Sequence, residues 1–459
     1  MGVTPARIVA RKVLTDVRAH HAYIAQALSR VLTTRAQSAR DIGYGTRLAH
    51  LSVGCYRAVS EILDEYLDDP AGLAPVARDC LVVSATELLY LDAPTYAVDQ
   101  GVELMKTVFP SLGGVANAVL RKITESRKTI LQTTLGREYG FPQWMAQQFV
   151  DEYGLETARQ IMEASNTEPP LYACVLSVAP PCWKSQLEQT GARIEPVEGR
   201  SGTLQSIAIG NMHAVRAHPL VASRAILISD IAAQVAISLA PVADGTHVLD
   251  VCCGRGSKSL MWADLARRAG YRMRITAVDN VAYKIQRAQH DATVLGYDEI
   301  TFRNADAASL PGADDISPKE HGFAFDTCED AFYNAVFVDA PCSGLGTLRR
   351  HSDKRMTLES GDIVHLASLS LRILCNGARK VAKGGALLYS TCTISRRENE
   401  RVIAEFLGTD SGREFVIDRI DDKELPLVMV GAVTREGFVQ TLPRKGEGDG
   451  HFIARLRRR

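Results

Sequence analysis

The sequence predicts an α/β protein in which a doubly wound sheet domain follows an all-α bundle and a small α+β module. Three observations carry this. Apolar residues recur at helical spacing from about residue 5 to 126, short β-type runs lie among Pro and Gly over 171–225, and from about 226 apolar strands alternate with amphipathic helices. At 459 residues the chain also exceeds what one core holds, roughly 250–300 residues, so two or three domains are expected.

The first domain, residues 1–130, is read from Ile8, Val9, Val13, Leu14 and Val17, and again from Ala58, Val59, Ile62, Leu63, Tyr66 and Leu67. Breaks at Asp69-Pro70, Pro75, Pro94 and Pro110-Ser-Leu-Gly-Gly divide it into five to seven helices. The second region, 131–225, joins a helical connector carrying Trp144, Met145, Phe149 and Tyr153 to an α+β module with strands at Leu171 to Val178 and Ile207 to Ile209. The third, 226–459, runs through the strand HVLDVCC, a helix near 257–269, the strand ITAVDN, another helix, the strand AVFVDAP, a long helix near 361–382 and the strand GALLYSTC. Such alternation places ligands at the carboxyl ends of the strands.

Composition bounds the function less tightly. Hydrophobic residues are 46% and charged residues 23%, ordinary for a soluble globular protein, and no apolar run approaches the ~20 residues of a membrane span. A cytoplasmic location without membrane contact is the expectation. The ten cysteines include no C-x-x-C pair, which argues against zinc and a disulfide framework and leaves most of them as small hydrophobes, with individual thiols open to catalysis. Net charge is zero, yet residues 1–50 hold eight Lys/Arg (Arg7, Arg11, Lys12, Arg18, Arg30, Arg35, Arg40, Arg47) against Asp16 and Asp41, a surplus of six. That face, and the tail Arg455, Arg457, Arg458 and Arg459, could meet phosphates or be a solvated surface.

The chemistry-bearing residues cluster in the third domain. VLDVCCGRGSKS puts Asp250 at a strand end, then Gly254 and Gly256 in a loop a ligand can approach closely, then a helix from about Ser257. The spacing is neither that of a dinucleotide fingerprint nor that of a P-loop, so kinase and ATPase readings fall away. Asp279 closes the second strand, where an acid commonly accepts from ribose hydroxyls, and Asp306 follows the third strand, within reach of an adenine amino group or serving as a turn cap. The decisive segments are DAPCSGLGTLRR, with Asp339, Pro341 and Cys342, and GGALLYSTCTISRRENE, with Cys392, Asn399 and Glu400. Both cysteines lie just beyond strand ends. Methylating carbon 5 of cytosine needs a thiolate added at carbon 6 and then a base to strip the carbon-5 proton, so two cysteines and a carboxylate suit that reaction. Amino-group methylation of adenine expects an aromatic residue where Asp339-Ala340-Pro341-Cys342 has a thiol.

On these residues the chain resembles the bacterial 16S ribosomal RNA cytosine-5 methyltransferase B family, within the wider Sun group, over nearly its whole length. The resemblance implies a Rossmann-like class I methyltransferase domain that uses S-adenosylmethionine, with Thr391-Cys392 supplying the nucleophile and Cys342 assisting product release. It implies that Cys252, Cys253, Gly254, Arg255, Gly256, Ser257 and Lys258 form the cofactor loop, that Asp279 binds ribose and Asp306 the adenine. Asp339 would lie beside both cofactor and target cytosine, and Lys258 would hold the active-site polar network. The closing Asp449-Gly450-His451-Phe452 resembles the family's last turn and strand, and GVANAVLRKI (114–123) resembles the RNA-binding antitermination factor NusB. The implied partner is 16S ribosomal RNA before full subunit assembly, met by a monomer.

The family loop D-x-C-A-A-P-G-G-K-T reads Asp250-Val-Cys-Cys-Gly-Arg-Gly-Ser-Lys-Ser259 here, with Arg255 for proline and Ser257 for glycine. Its Pro-Pro-x-x-Arg-x-Asn stretch is Pro169-Pro170-Leu-Tyr-Ala-Cys-Val175, and residues 311–332 form a longer, more acidic loop. The same chemistry on transfer RNA or another ribosomal site, and a non-catalytic RNA-binding assembly factor, are the competing expectations.

Overall fold

The computed structural model describes residues 2–32, 38–91, 96–198, 204–211, 215, 218–309, 323–324 and 333–459. Arg35, Pro94, Cys328 and nearly all of the acidic stretch 311–332 lie outside them. The chain divides into two compact units, residues 1–168 with 347–360, and residues 169–346 with 361–459.

The first unit is helical: α1 (Pro5–His20), α2 (Ile24–Leu32), α3 (Ala39–Gly54), α4 (Tyr56–Asp64), α5 (Pro75–Tyr90), α6 (Ala97–Lys106), α7 (Gly113–Thr133), α8 (Leu135–Tyr139), α9 (Gln143–Tyr153) and α10 (Leu155–Ser165). Helix α1 buries Ala6, Val9, Ala10, Val13, Leu14 and Val17, the stripe its spacing predicts. Proline opens α5 at its first position, where its missing N–H is no loss, and the helix is buried on every side from Leu81 to Leu89, as the central rod of a bundle must be. The break expected at Pro110 is a short 3-10 turn, Pro110–Leu112, leading into α7.

Sequence spacing drew a boundary at 130. In the structure α7 continues to Thr133, and α8, α9 and α10 pack in succession after it, so the connector is part of the helical unit. The second drawn boundary, at 225, cuts the small sheet. Its strands are β1 (Leu171–Val175), β2 (Arg193–Pro196), β3 (Gln205–Gly210) and β4 (Ile226–Ile228), ordered β2-β3-β1-β4 and all antiparallel. Ile226 and Leu227 resemble the apolar strands that follow in sequence, but they complete this sheet by pairing with β1.

The large sheet holds β5 (His247–Val251), β6 (Arg274–Asp279), β7 (Ile300–Asp306), β8 (Phe323–Ala324), β9 (Tyr333–Asp339), β10 (Val381–Thr391), β11 (Phe415–Ile417), β12 (Val439–Gln440) and β13 (Phe452–Arg458). Its order is β11-β13-β10-β9-β5-β6-β7-β8, with β12 paired to β13. Strands β5 to β10 run parallel, and β13 returns antiparallel against β10. The near-continuous apolar runs of β5, β9 and β10 follow from burial on both faces. One face packs around Trp262, Phe337 and Ile453, the other around Val338, Tyr389 and Phe406. Because β5 is flanked by β6 on one side and β9 on the other, the sheet reverses its winding there, and the crevice opens at the carboxyl ends of these strands.

Several of the basic residues of the first fifty turn out to be structural. Arg7, 3% exposed, donates to Glu87, Arg18 clasps Asp79 at 2.8 Å and Arg30 pairs with Asp16, so three of the eight cations are spent inside the helical unit. The tail is similar: Arg455 binds Asp418 and Glu424, Arg457 binds Asp418, and Arg458 binds Glu414. Lys12, Arg40 and Arg47 remain exposed for an external anion.

Candidate active site

Four parallel strands end in acids at one edge of the sheet: Asp250 in β5, Asp279 in β6, Asp306 in β7 and Asp339 in β9. Their charges converge on Cys252, whose thiol is pushed far up by burial first and then by Asp279, Asp339, Asp250 and Asp306. Cys253 is raised by burial, Asp250 and Asp279, so both loop thiols stay protonated and inert as nucleophiles.

The loop between β5 and the helix Ser257–Arg268 is held open by left-handed backbone at Cys252 (φ 62°), Gly254 (φ 59°) and Gly256 (φ 71°). A side chain at Gly256 would strike the Phe302 ring, so this glycine is dictated twice, by conformation and by space. Asp279 fastens the loop, accepting from Gly254 N–H and Val281 N–H at 2.9 Å each. Asp306 accepts from Ala308 N–H, the turn-capping contact that its position allowed. Ser257 Oγ accepts from Arg224, and Arg255 faces Asp291 at 3.5 Å.

Asp250 is fully buried. Its Oδ2 accepts from Ser259 Oγ at 2.5 Å while its Oδ1 has no partner among the described residues, and burial pushes its carboxyl up to about 7 against the pull of Ser259 and Lys258. An unmet buried acceptor, glycines opened to φ > 0 and a helix start without a side-chain cap together suit a ligand bearing an ammonium, hydroxyls and an anionic end. S-adenosylmethionine has all three. Among the described residues no group of three or more His, Cys, Asp or Glu is placed to hold a metal ion.

Lys258, on the first turn of that helix, extends its ammonium to Asp339 Oδ2 at 2.5 Å. Burial pulls its pKa down, but the Asp339 charge and hydrogen bond, with Asp250 and Cys392, win and hold the lysine protonated. The two motif cysteines meet because β9 and β10 are parallel neighbours with Asp339 opposite Ser390, and each strand then turns out at its end. Cys342 Sγ and Cys392 Sγ are 3.5 Å apart. Cys392, Cys342, Asp339 and Lys258 thus share one end of the sheet.

The polar frame behind the cysteines was only partly visible in the sequence. Glu398, fully buried, accepts from Ser343 N–H at 2.7 Å, Ser343 Oγ at 2.5 Å and Thr393 Oγ1 at 3.1 Å. Ser343 follows Cys342 and Thr393 follows Cys392, so one carboxyl staples both cysteine loops. Asn399 brackets Cys392 from the other side, accepting from Thr391 Oγ1 at 2.7 Å and donating to Thr393 O at 3.0 Å. The signal for Glu398 was its place beside Asn399, with two hydroxyl residues each directly after a motif cysteine. Gly346 N–H donates to Cys392 O, and Gly450 N–H to Gly346 O, so the Asp449-Gly450 turn reaches the same loops through backbone alone.

Comparisons with known proteins bear on the family and the fold. The family model for 16S rRNA methyltransferase RsmB/F matches residues 236–457, and that for the NusB family matches residues 4–125. The chain is similar to the probable ribosomal RNA small subunit methyltransferase B of Bacillus subtilis, 28% identical with 100% of both chains covered. It is likewise similar to the ribosomal RNA small subunit methyltransferase B of Erwinia tasmaniensis, 26% identical over 94% of each. In fold it resembles the crystal structure of PH0851, with TM-score 0.78, 19% identity and 99% of each chain covered. A methyltransferase homolog protein from Pyrococcus horikoshii matches at TM-score 0.55 and 18% identity over 71% of this chain and 97% of the other. The large-sheet domain of this chain, residues 236–457, therefore belongs to the RsmB/F family of 16S rRNA methyltransferases, S-adenosylmethionine-dependent enzymes, and is preceded by a domain of the NusB family at residues 4–125.

Proposed function

We propose that this protein transfers the methyl group of S-adenosylmethionine to carbon 5 of a cytosine in 16S ribosomal RNA through a covalent bond between Cys392 and the base. The observation that carries the reading is the meeting of Cys392 with Cys342 at 3.5 Å, beside the ion pair of Lys258 and Asp339. The cofactor supplies a methyl group made electrophilic by its attachment to a positively charged sulfur. The loop from Cys252 to Lys258 would cradle it, with Asp279 accepting from the ribose hydroxyls and Asp306 from the adenine amino group.

Cys392 attacks carbon 6 of the flipped-out base as a thiolate, and the protonated Lys258, whose charge Cys392 feels, favours that anion. Forming the sulfur–carbon bond moves an electron pair onto carbon 5, which would then take the methyl group as the bond from that methyl to the cofactor's sulfur breaks and its electron pair stays on the sulfur. Asp339 orients Lys258 and stands beside the base. Cys342 assists release: as the carbon-5 proton departs to a base, the sulfur–carbon bond breaks and Cys392 leaves as the thiolate. RNA docks on the NusB-family domain and the small β1–β4 sheet, and a base within folded RNA must leave its stack, which favours 16S RNA before full subunit assembly as the substrate; the family resemblance implies a monomer as the working form.

The test is incubation with methyl-labelled S-adenosylmethionine and unmodified 16S RNA, followed by nucleoside mass spectrometry. Label in 5-methylcytidine supports the reading, and label in another nucleoside, or in transfer RNA alone, overturns it. Cys392→Ala should abolish transfer, whereas Cys342→Ala should leave a protein–RNA adduct that survives denaturing electrophoresis. An undiminished Cys342→Ala enzyme without adduct removes the release role.

A further inference from the structure

Two residues before β4, an arginine outside the loop after β5 reaches across to hold it. Arg224 sits at φ 65°, a left-handed backbone that a long side chain rarely adopts, and is only 8% exposed. Its guanidinium leaves the small sheet and forks onto the loop after β5. Nη1 donates to Arg255 O at 2.6 Å and to Asp291 Oδ2 at 3.0 Å, and Nη2 donates to Ser257 Oγ at 2.5 Å. Asp291 stands on the helix after β6, Ala282–Val294, and also receives Arg287 at 3.1 Å and Arg255 at 3.5 Å.

We infer that Arg224 is a positioning residue for S-adenosylmethionine: it locks Arg255 and Ser257 against the Asp291 helix and so presets the loop that receives the cofactor. The inference rests on the methyltransferase reading and adds a residue outside the family-matched segment 236–457. Between Cys253 and the helix start at Ser257 the chain passes through two left-handed glycines, the residue type whose backbone is least restricted unless contacts hold it. A loop that must order on binding loses affinity to that ordering, and a preset one does not. The planar guanidinium can grip a carbonyl, a hydroxyl and a carboxylate together, and a lysine ammonium cannot reproduce that fork. Burial adds to its hold on Asp291, which is itself only 6% exposed. The left-handed backbone at 224 is a local strain that the three contacts offset.

The test is calorimetric titration of S-adenosylmethionine into the full-length protein, together with kcat and KM on 16S RNA. Arg224→Gln should weaken binding about tenfold or more and raise the KM for S-adenosylmethionine alike, with kcat at saturating cofactor close to wild type. Arg224→Lys should recover only part of the loss. Ser257→Ala removes one hydroxyl and spares the Asp291 ion pair, so it reports on the loop even where Arg224→Gln fails to fold, and a few-fold weakening is expected. In a Ser257→Ala background the Arg224→Gln loss should shrink, since one shared contact is already gone. Unchanged cofactor affinity in both Ser257→Ala and a folded Arg224 variant would overturn the inference, as would a loss confined to kcat. A wild-type protein that binds no S-adenosylmethionine would instead sink the methyltransferase reading itself.

Discussion

The carboxyl groups behind the site have opposite tasks from the one on its rim. Asp339 keeps Lys258 charged, whereas Asp250 and Glu398 are buried with carboxyls pushed up to about 7, chiefly by desolvation. For Asp250 the sign is fixed by linkage. A carboxyl whose pKa is raised in the folded state contributes fully below about pH 4, and that contribution is lost as pH rises through about 7. Asp250→Asn cannot ionise, so its melting temperature relative to wild type should climb between pH 5 and pH 8, by an amount on the order of a few kcal/mol in stability. Calorimetry at the two pH values decides it, and a pH-independent difference refutes it. Glu398 predicts something else. Glu398→Ala leaves Ser343 and Thr393 without their shared acceptor and loosens both cysteine loops, so kcat should fall at least about tenfold while S-adenosylmethionine affinity holds. At this scale the sequence marked Asp339, Cys342 and Cys392 through short motifs at strand ends, and the folded chain brings those motifs together. It hid Glu398 and Arg224, whose partners lie 55 and 33 residues away and whose roles exist only once the chain is folded.

Strands and their turns decide whether the two thiols meet. The parallel register of β9 and β10 puts their ends level, and the turn after β9 is then pressed against the turn before β13 so closely that only glycine fits on either side. A Cβ on Gly346 would collide with Gly450 O, and one on Gly450 with Ile394 and the Gly346 backbone. Since Gly346 N–H also holds Cys392 O, Gly346→Ala should both destabilise the domain, by roughly 1–3 kcal/mol, and slow methyl transfer more than it weakens cofactor binding. Denaturant melting and a kcat measurement at saturating cofactor check the two halves, and a variant with wild-type kcat would show that this turn does not position the nucleophile. Elements of this kind were legible wherever they were long and apolar: β5, β6, β9 and β10, the helices after β5 and β6, and the long helix Ser360–Arg379 fall where hydrophobic periodicity put them. Strands β2 and β4 escaped, the first because only Ile194 of its four residues is buried, the second because three residues of apolar sequence carry no period.

At the scale of the whole chain, the units are not contiguous in sequence. Residues 347–360, which directly follow the Cys342 motif, pack within the helical unit. There Arg355, 1% exposed, donates to Asn166 Oδ1 at 2.8 Å and lies 4.3 Å from the Phe141 ring, while Arg57 holds Met356 O at 2.8 Å and Glu359 at 2.5 Å. No local pattern in sequence announces such a segment, since its helix, Asp353–Thr357, spans five residues and its partners lie near residues 50, 140 and 166. The consequence is that residues 1–168 alone lack part of their own core. A fragment 1–168 should melt below the temperature it reaches with a synthetic peptide of residues 347–360, because a ligand that binds only the folded state stabilises it, by about 2.7 kcal/mol at a hundredfold excess over Kd. Arg355→Met in the peptide removes the cation that sits on Phe141 and Asn166, so that peptide should stabilise the fragment less. Circular dichroism melts with and without each peptide make the comparison, and a fragment indifferent to the wild-type peptide would mean that the helical unit is complete without it.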